Sequence, residues 1–483
     1  MNDNTELLVI GGGASGLAAA AAASEAGVST MLVEANAFTG GNGVFPRGMF
    51  AVDSVLQRRQ LIFADPDRIF SECMAYSHWK INGRIVRRLI DRTGDTIQWL
   101  MDMGVPFNRV VHHMPNQSPE VFHVALGDHV SETTGRQVTR ALEQRCREHG
   151  VKILTRTRGR KLLKDENGAV TGAVCTDAEG RELTIHARQV IIGTGGFAGN
   201  KELIHEFLPE IDRKHLTATA GMLHQGDGIQ MARAAGADVE GHFTMEIAAP
   251  SIHGFGGLKI LMGKAWNVWV NRQGRRFADE SIVYNFPQSA HACLEQPGSE
   301  MWVLFDKRIM ERTLADGMDI IEYIHIPEGA EEKLPDTIEE AIQVGVMRRA
   351  DSVEALEQWI GCGSGNLRRE IEEYNTCCLQ GRDKIFAKDR RYLMPLTEPP
   401  FYAIRAGVDL LNTHGGIRVD EEFRALDPSG NILPGLRVAG VDFGGADADI
   451  YNVNLSGHGF SFAVNSGRIA GEHAARELRG SRG

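Results

Sequence analysis

The spacing of apolar and polar residues changes several times along the chain, and the first change lies close to the N-terminus. Residues 6–10, "ELLVI", are a nearly continuous apolar run stopped by glycine, which predicts a buried strand. The alanine-rich stretch 14–26 predicts a helix, and residues 29–33, ending in "MLV", predict a second buried strand. Further on, "VIIGTGG" (190–196) and "ILPGLRVAGVD" (432–442) are again short buried strands that end in glycine turns. The middle of the chain differs: "MWVLFDK" (301–307) reads as a strand, and a helix is expected to start at "TIEE", where Thr337 and Glu340 would form a capping box. Strands alternate with helices at both ends of the chain, and a mixed α+β segment lies between them. That order predicts an α/β protein.

Composition narrows the class. At 483 residues with 42% hydrophobic and 24% charged positions, the chain can build two or three globular units. A net charge of -11 without a Lys/Arg-rich block speaks against a nucleic-acid partner. No apolar run is long enough for a membrane span, and the polar start "MNDNTE" has no signal-peptide pattern, so a cytoplasmic protein is expected. The seven cysteines have no metal-binding or haem-binding spacing, and no metal site is expected.

The first glycine turn carries candidate chemistry. Gly11, Gly13 and Gly16 fit GxGxxG between strand and helix: the first allows the turn, the second lets backbone approach a pyrophosphate, the third lets helix and strand pack. The first helical residues, Ala14 and Ser15, would present unpaired N–H groups to the phosphates. Glu34, with Ala35 after it, ends the second strand where a carboxylate can accept both ribose hydroxyls. Unmodified ribose fits FAD or NAD better than NADP.

A series of motifs along the rest of the chain separates FAD from NAD. "TGGNG" (39–43), "VIIGTGGFAGN" (190–200), "GDGIQMARAAGA" (226–237), "VNRQGRRFADES" (270–281), "ILPGLRVAG" (432–440) and "SGRIAGEHAA" (466–475) occur in one order. In this the chain resembles the superfamily of fumarate reductase and 3-ketosteroid dehydrogenase flavoproteins. The resemblance implies a Rossmann-like, GR2-type FAD-binding domain in two pieces, 1–243 and 397–483, with an inserted α+β cap domain, 244–396, that covers the substrate. It implies FAD lined by Gly41, Asn42, Gly43, Gly48, Gly195, Asp227, Gly459 and Phe460, with Asp442 near the ribityl hydroxyls. Ser456 and Gly457 would open the last helix toward the flavin. No histidine lies between residues 36 and 50, where covalent relatives attach the cofactor, so FAD is expected to be non-covalent.

The same resemblance implies hydride exchange with one carbon of a C–C bond beside a carbonyl or carboxylate, and proton exchange with its neighbour. Fumarate-type enzymes use an arginine acid at the end of the segment "RRFADESIVYN", where this chain has Tyr284, and their other anchors correspond here to Ala249, Asn412 and Asn454. Without charged partners a dicarboxylate has no compensation for leaving water, so the expected substrate is a small-molecule enone or enoate. Tyr284 matches the tyrosine of the ketosteroid branch and is the expected proton group, the alternative being a half-buried cap tyrosine. Tyr451 is a second candidate, and a Gly457 N–H is placed to polarise a carbonyl. Asn412 and Asn454 are expected to donate to a neutral oxygen. His458 is either an acid or an exposed residue at a helix start. A separate electron donor or acceptor is required. Two other functions fit the residues: a ketosteroid-type dehydrogenase with a quinone-like acceptor, and an electron-transfer subunit without a substrate.

Overall fold

In the computed structural model, residues 2–114, 119–125, 132–209, 216–218, 224–317, 329–363 and 365–480 are described. The strand Asn2–Ile10 lies at the centre of a large sheet. It pairs in parallel with Thr30–Val33 on one side and Glu182–Ile192 on the other, and Lys152–Leu154 and Ile432–Val438 extend the sheet outward, also in parallel. Residues 7–10, 31–33 and 190–192, where these strands cross the middle of the sheet, are buried on both faces, which is why those stretches read as apolar runs. An antiparallel pair, Arg158–Lys164 and Val170–Thr176, continues from the strand Glu182–Ile192.

The alanine run forms the helix Ala14–Glu25, in which every residue from Ala14 to Ser24 is buried. Its small side chains allow another helix, His458–Gly480, to pack at backbone distance. A Cβ added at Gly467 would lie 2.0 Å from the Ser15 carbonyl oxygen, and one at Gly471 would lie 2.3 Å from that of Ala19. The two glycines of "SGRIAGEHAA" therefore have a packing role that any side chain would block.

The second sheet is built around one long strand, Phe401–His414. It pairs with Thr244–Ser251, Met301–Asp306 and Met347–Ala350 in antiparallel fashion and with Leu216–Ala218 in parallel. The expected boundary at 396/397 thus falls just before a strand whose antiparallel partners all lie within 244–396. The helix expected to begin at "TIEE" begins earlier, at Leu334, with a proline in its first turn. Thr337 lies inside it, bonded back to the Lys333 carbonyl, so the expected capping box does not form. Pro335 overrides the box because it can occupy the first turn without losing a hydrogen bond. Among the described residues no helix is long and apolar enough to cross a membrane.

Candidate active site

The two sheets enclose a cavity of about 360 Å³. One side of it is made of backbone. Gly11 (φ +105°) turns the chain out of the central strand so tightly that a Cβ there would lie 2.2 Å from the Gly193 oxygen. Gly13, the first residue ahead of the helix, has no side-chain cap and nothing within 4 Å of where a Cβ would stand. The helix N-terminus therefore opens into the cavity with unpaired N–H groups and room for a phosphate to approach. Glu34 lines the next stretch, its carboxylate oriented by the N–H groups of Gly12 and Asn36, each at 2.7 Å. Arg158 and Asp227 line it too, paired through two 2.8 Å hydrogen bonds. An open glycine cradle, a helix end and a pinned ribose-type carboxylate fit a dinucleotide. When FAD is bound there, it supplies hydride-transfer chemistry to the site.

Ala14, Ser15, Ala35, Gly41, Asn42, Gly43, Gly48, Gly195, Gly457, Gly459 and Phe460 also line the cavity. Gly16 does not; its absent side chain leaves space for the Gly11 carbonyl, 1.9 Å from a Cβ there. Two expected ligands are committed elsewhere. Asp442 lies fully buried behind the cavity wall and accepts hydrogen bonds from the backbone N–H groups of Thr194, Gly195 and Gly196. Burial raises its pKa against those bonds. The carboxylate braces the glycine turn, where three backbone N–H groups converge on it. Ser456 is buried as well, its hydroxyl shared between the Val453 carbonyl at 2.9 Å and His113 Nδ1 at 2.8 Å, and it is not part of the lining.

The opposite side is made of side chains. The strand Thr244–Ser251 contributes Glu246, Ile247, Ala248, Ala249 and Pro250, and the long strand contributes Leu411, Asn412 and His414. Asn42 Nδ2 donates to the Leu411 carbonyl at 3.3 Å, which ties the glycine loop to this strand. Tyr451 lines the cavity, and its hydroxyl oxygen lies 3.3 Å from the Gly459 N–H, which donates to it.

Tyr284 is not among the residues that line the cavity. It ends a 3-10 turn, Glu280–Tyr284, and is buried with its ring centroid 6.0 Å from that of Tyr392. The turn directs Val283 to the cavity, and Phe286 and Pro287 line it next. Two further expectations need correction. Asn454 is exposed and lies off the cavity, in the turn ahead of the last helix. His458 is neither exposed nor in the lining: it is 1% exposed, with Nε2 3.0 Å from Asp447 and Nδ1 3.1 Å from the Leu455 carbonyl. The carboxylate of Asp447, buried eleven residues earlier, is what draws this imidazole inward.

Sequence reasoning passed over several groups here. His414 Nδ1 lies 3.1 Å from Asp447, and its Nε2 lies 3.6 Å from Glu246. Burial opposes the charged imidazole, but the two carboxylates outweigh it and raise its pKa to about 9. For Asp447 burial works the other way, yet His458 and His414 hold it well below the usual carboxylate range. The ring of Tyr451 stacks on His458, centroids 4.3 Å apart, and meets His414 edge-on at 5.0 Å. His113 lines the cavity with its ring stacked on Phe122. Lys259 lines it too, with its ammonium 3.3 Å from Asp409, whose same oxygen accepts from the Ser251 hydroxyl. His414, in "THGG", and Lys259, in "GGLKILM", were visible in sequence, but no role was expected of either.

Comparison with known proteins agrees with this geometry. The family model described as an FAD binding domain matches residues 6–451. The chain is 30% identical to the vinyl phenol reductase of Lactiplantibacillus plantarum, over 98% of this chain and 97% of that one. It is 26% identical to a probable fumarate reductase of Shewanella frigidimarina, over 98% and 75% of the two chains. In fold it is similar to the 3-ketosteroid-Δ4-(5α)-dehydrogenase of Rhodococcus jostii, with a TM-score of 0.78 at 22% identity, covering 98% and 97%. The glycine cradle, the pinned Glu34 and a family match over most of its length place this chain in the FAD-binding domain family, as an FAD-dependent oxidoreductase acting on carbon–carbon bonds.

Proposed function

We propose that the chain reduces a carbon–carbon double bond conjugated to an aromatic ring or carbonyl, on a substrate with at most one anionic group, and that Tyr451 exchanges the proton. The observation that carries this reading is the charge of the cavity lining. Among the described residues, Arg158 and Lys259 are the only Lys or Arg side chains in it, and each already holds a carboxylate. A dicarboxylate entering here would find no unengaged guanidinium fork to replace its water. The same cavity has apolar lining in Ala249, Pro250, Val283, Phe286 and Pro287. The similarity to a vinyl phenol reductase, over nearly the whole of both chains, supports a conjugated alkene.

Tyr451 is preferred to Tyr284 because it lines the cavity, with its hydroxyl against the first turn of the last helix at Gly459. A tyrosine hydroxyl is protonated at neutral pH and can act as a general acid without activation, which favours the reductive direction. Bound FAD is held without a covalent link, and the electrons come from a separate donor.

The test is to reduce the FAD-loaded protein with dithionite under anaerobic conditions and add vinyl phenols, cinnamate-type acids, enones, saturated ketosteroids and fumarate in turn. Prompt reoxidation by a monoanionic or neutral conjugated alkene, and none by fumarate, is the expected result. Reoxidation by fumarate alone, or bleaching of the oxidised protein by saturated ketosteroids, would overturn the proposal.

A further inference from the structure

We infer that Lys259, with Asp409 and Ser251 behind it, is the binding site for an acidic hydroxyl, a phenol or phenolate oxygen, at the end of the substrate remote from the reacting double bond. This rests on the reductase reading and narrows its substrate to conjugated alkenes that carry a phenolic oxygen across a ring.

Lys259 has hydrogen-bonding capacity left over. Its side chain is 7% exposed and that of Asp409 is 6% exposed. An ammonium has three N–H donors and no acceptor. Of these, one reaches Asp409 at 3.3 Å, the only hydrogen bond the ammonium makes among the described residues, and Lys259 is one of the residues that line the cavity. A buried ammonium with donors left over is costly unless an oxygen joins it. Asp409 is in turn held by the Ser251 hydroxyl, so the carboxylate is fixed and the lysine is aimed.

Distance points to a ring between this lysine and the reacting carbons. Asp409 and Leu411 are two residues apart on one strand, ~7 Å along its axis. Leu411 is the residue whose carbonyl Asn42 of the FAD-cradling loop holds. On the reductase reading the reacting carbons lie beside that loop, which puts Lys259 roughly a ring's length away from them. In an acrylate-type acid the carboxylate is bonded directly to the double bond and cannot span this separation. In a vinyl-substituted phenol the ring spans it.

Charge selects the oxygen at the far end of that ring. Lys259 is already paired with Asp409, so it suits a weakly acidic hydroxyl that needs one or two donors better than a full carboxylate that needs a fork. The rings of Phe286 and His113 in the same cavity supply aromatic wall for the spacer.

The test uses the oxidised, FAD-loaded protein and unreactive ligands, with dissociation constants read from the flavin absorbance. 4-Ethylphenol is expected to bind ~10- to 100-fold more tightly than its methyl ether, 4-ethylanisole. Lys259→Met should abolish that preference while leaving FAD content and 4-ethylanisole affinity within about twofold. Lys259→Arg should retain part of it, which guards against a variant that fails to fold. Equal affinity for phenol and ether in the unaltered protein would overturn the inference, as would equal losses for both ligands in Lys259→Met. So would 3-phenylpropanoate binding more tightly than the phenol in a Lys259-dependent way, which would make this a carboxylate site. The two readings fail separately. Vinyl phenols reduced with an unchanged KM in Lys259→Met would sink this inference and leave the reductase standing. Lysine-dependent phenol binding without reduction of any alkene would do the reverse.

Discussion

Two clusters of buried charge can be compared in this molecule. In one, Arg276 holds Glu280 at 2.9 and 2.8 Å and Asp383 at 2.9 Å, while Lys388 reaches the same Glu280 at 3.0 Å. Glu280 also accepts from the Trp269 N–H, and Lys388 donates to the Asn267 carbonyl and the Tyr374 hydroxyl. All four charged side chains are at most 1% exposed. In the other cluster, Lys259 has one carboxylate at 3.3 Å and faces the cavity. Burial alone therefore does not mark a functional charge. The first cluster is saturated by its own partners; the second has capacity left over beside the cavity. The segment "RRFADESIVYN" supplies Arg276 and Glu280 to the saturated cluster, which is why it reads as an active-site motif while placing Val283, and not Tyr284, at the cavity wall.

The contrast can be broken at several points. Glu280→Gln leaves Arg276 and Lys388 buried without their shared carboxylate and should cost about 3–5 kcal/mol in denaturant unfolding. Asp409→Asn, which strands a single lysine at a cavity edge, should cost less than half as much, and equal costs would erase the distinction. Tyr451→Phe should lower alkene reduction ~10²- to 10⁴-fold with FAD still bound, whereas Tyr284→Phe should change it less than tenfold. A larger loss in Tyr284→Phe would return the proton role to that residue.

The His414 site responds to pH, with a sign set by its pKa of about 9 in the fold. A raised histidine pKa stabilises the protein fully below the unfolded value near 6.5 and loses that contribution as pH rises through 9, on the order of 3 kcal/mol at most. Asp447, held below the usual range, loses its contribution on acidification instead. Unfolding free energy should therefore decline between pH 6.5 and 9, and His414→Gln should flatten that slope. The glycine cradle offers a further break. Gly11→Ala forces a methyl against the Gly193 oxygen and should weaken FAD binding ~10- to 100-fold, read by titrating the apoprotein with FAD.

The cradle was largely legible in the chain because its contacts are made by backbone. A position that must be glycine, such as Gly11 at φ +105°, shows in sequence as glycine, and Glu34 falls at the end of a strand whose length the apolar run sets. Asp442 and Ser456 were placed near the right turns, but their partners were not predictable. Those partners, the N–H groups of 194–196 and the ring of His113, come from segments hundreds of residues away.

The first strand–helix–strand unit and its dinucleotide cradle were readable from the sequence by itself, because hydrophobic period and glycine spacing act over a few neighbouring residues, and the choice of FAD came from the resemblance of motifs along the chain. Which side chains face the substrate was decided only by tertiary structure. Lys259 meets Asp409 across 150 positions of chain, and His414 meets Glu246 across the same sheet, because one long strand brings them to a common cavity. Whether a buried charge is saturated or left open to a ligand depends on every partner within a few ångströms, and the linear spacing of residues does not carry that information.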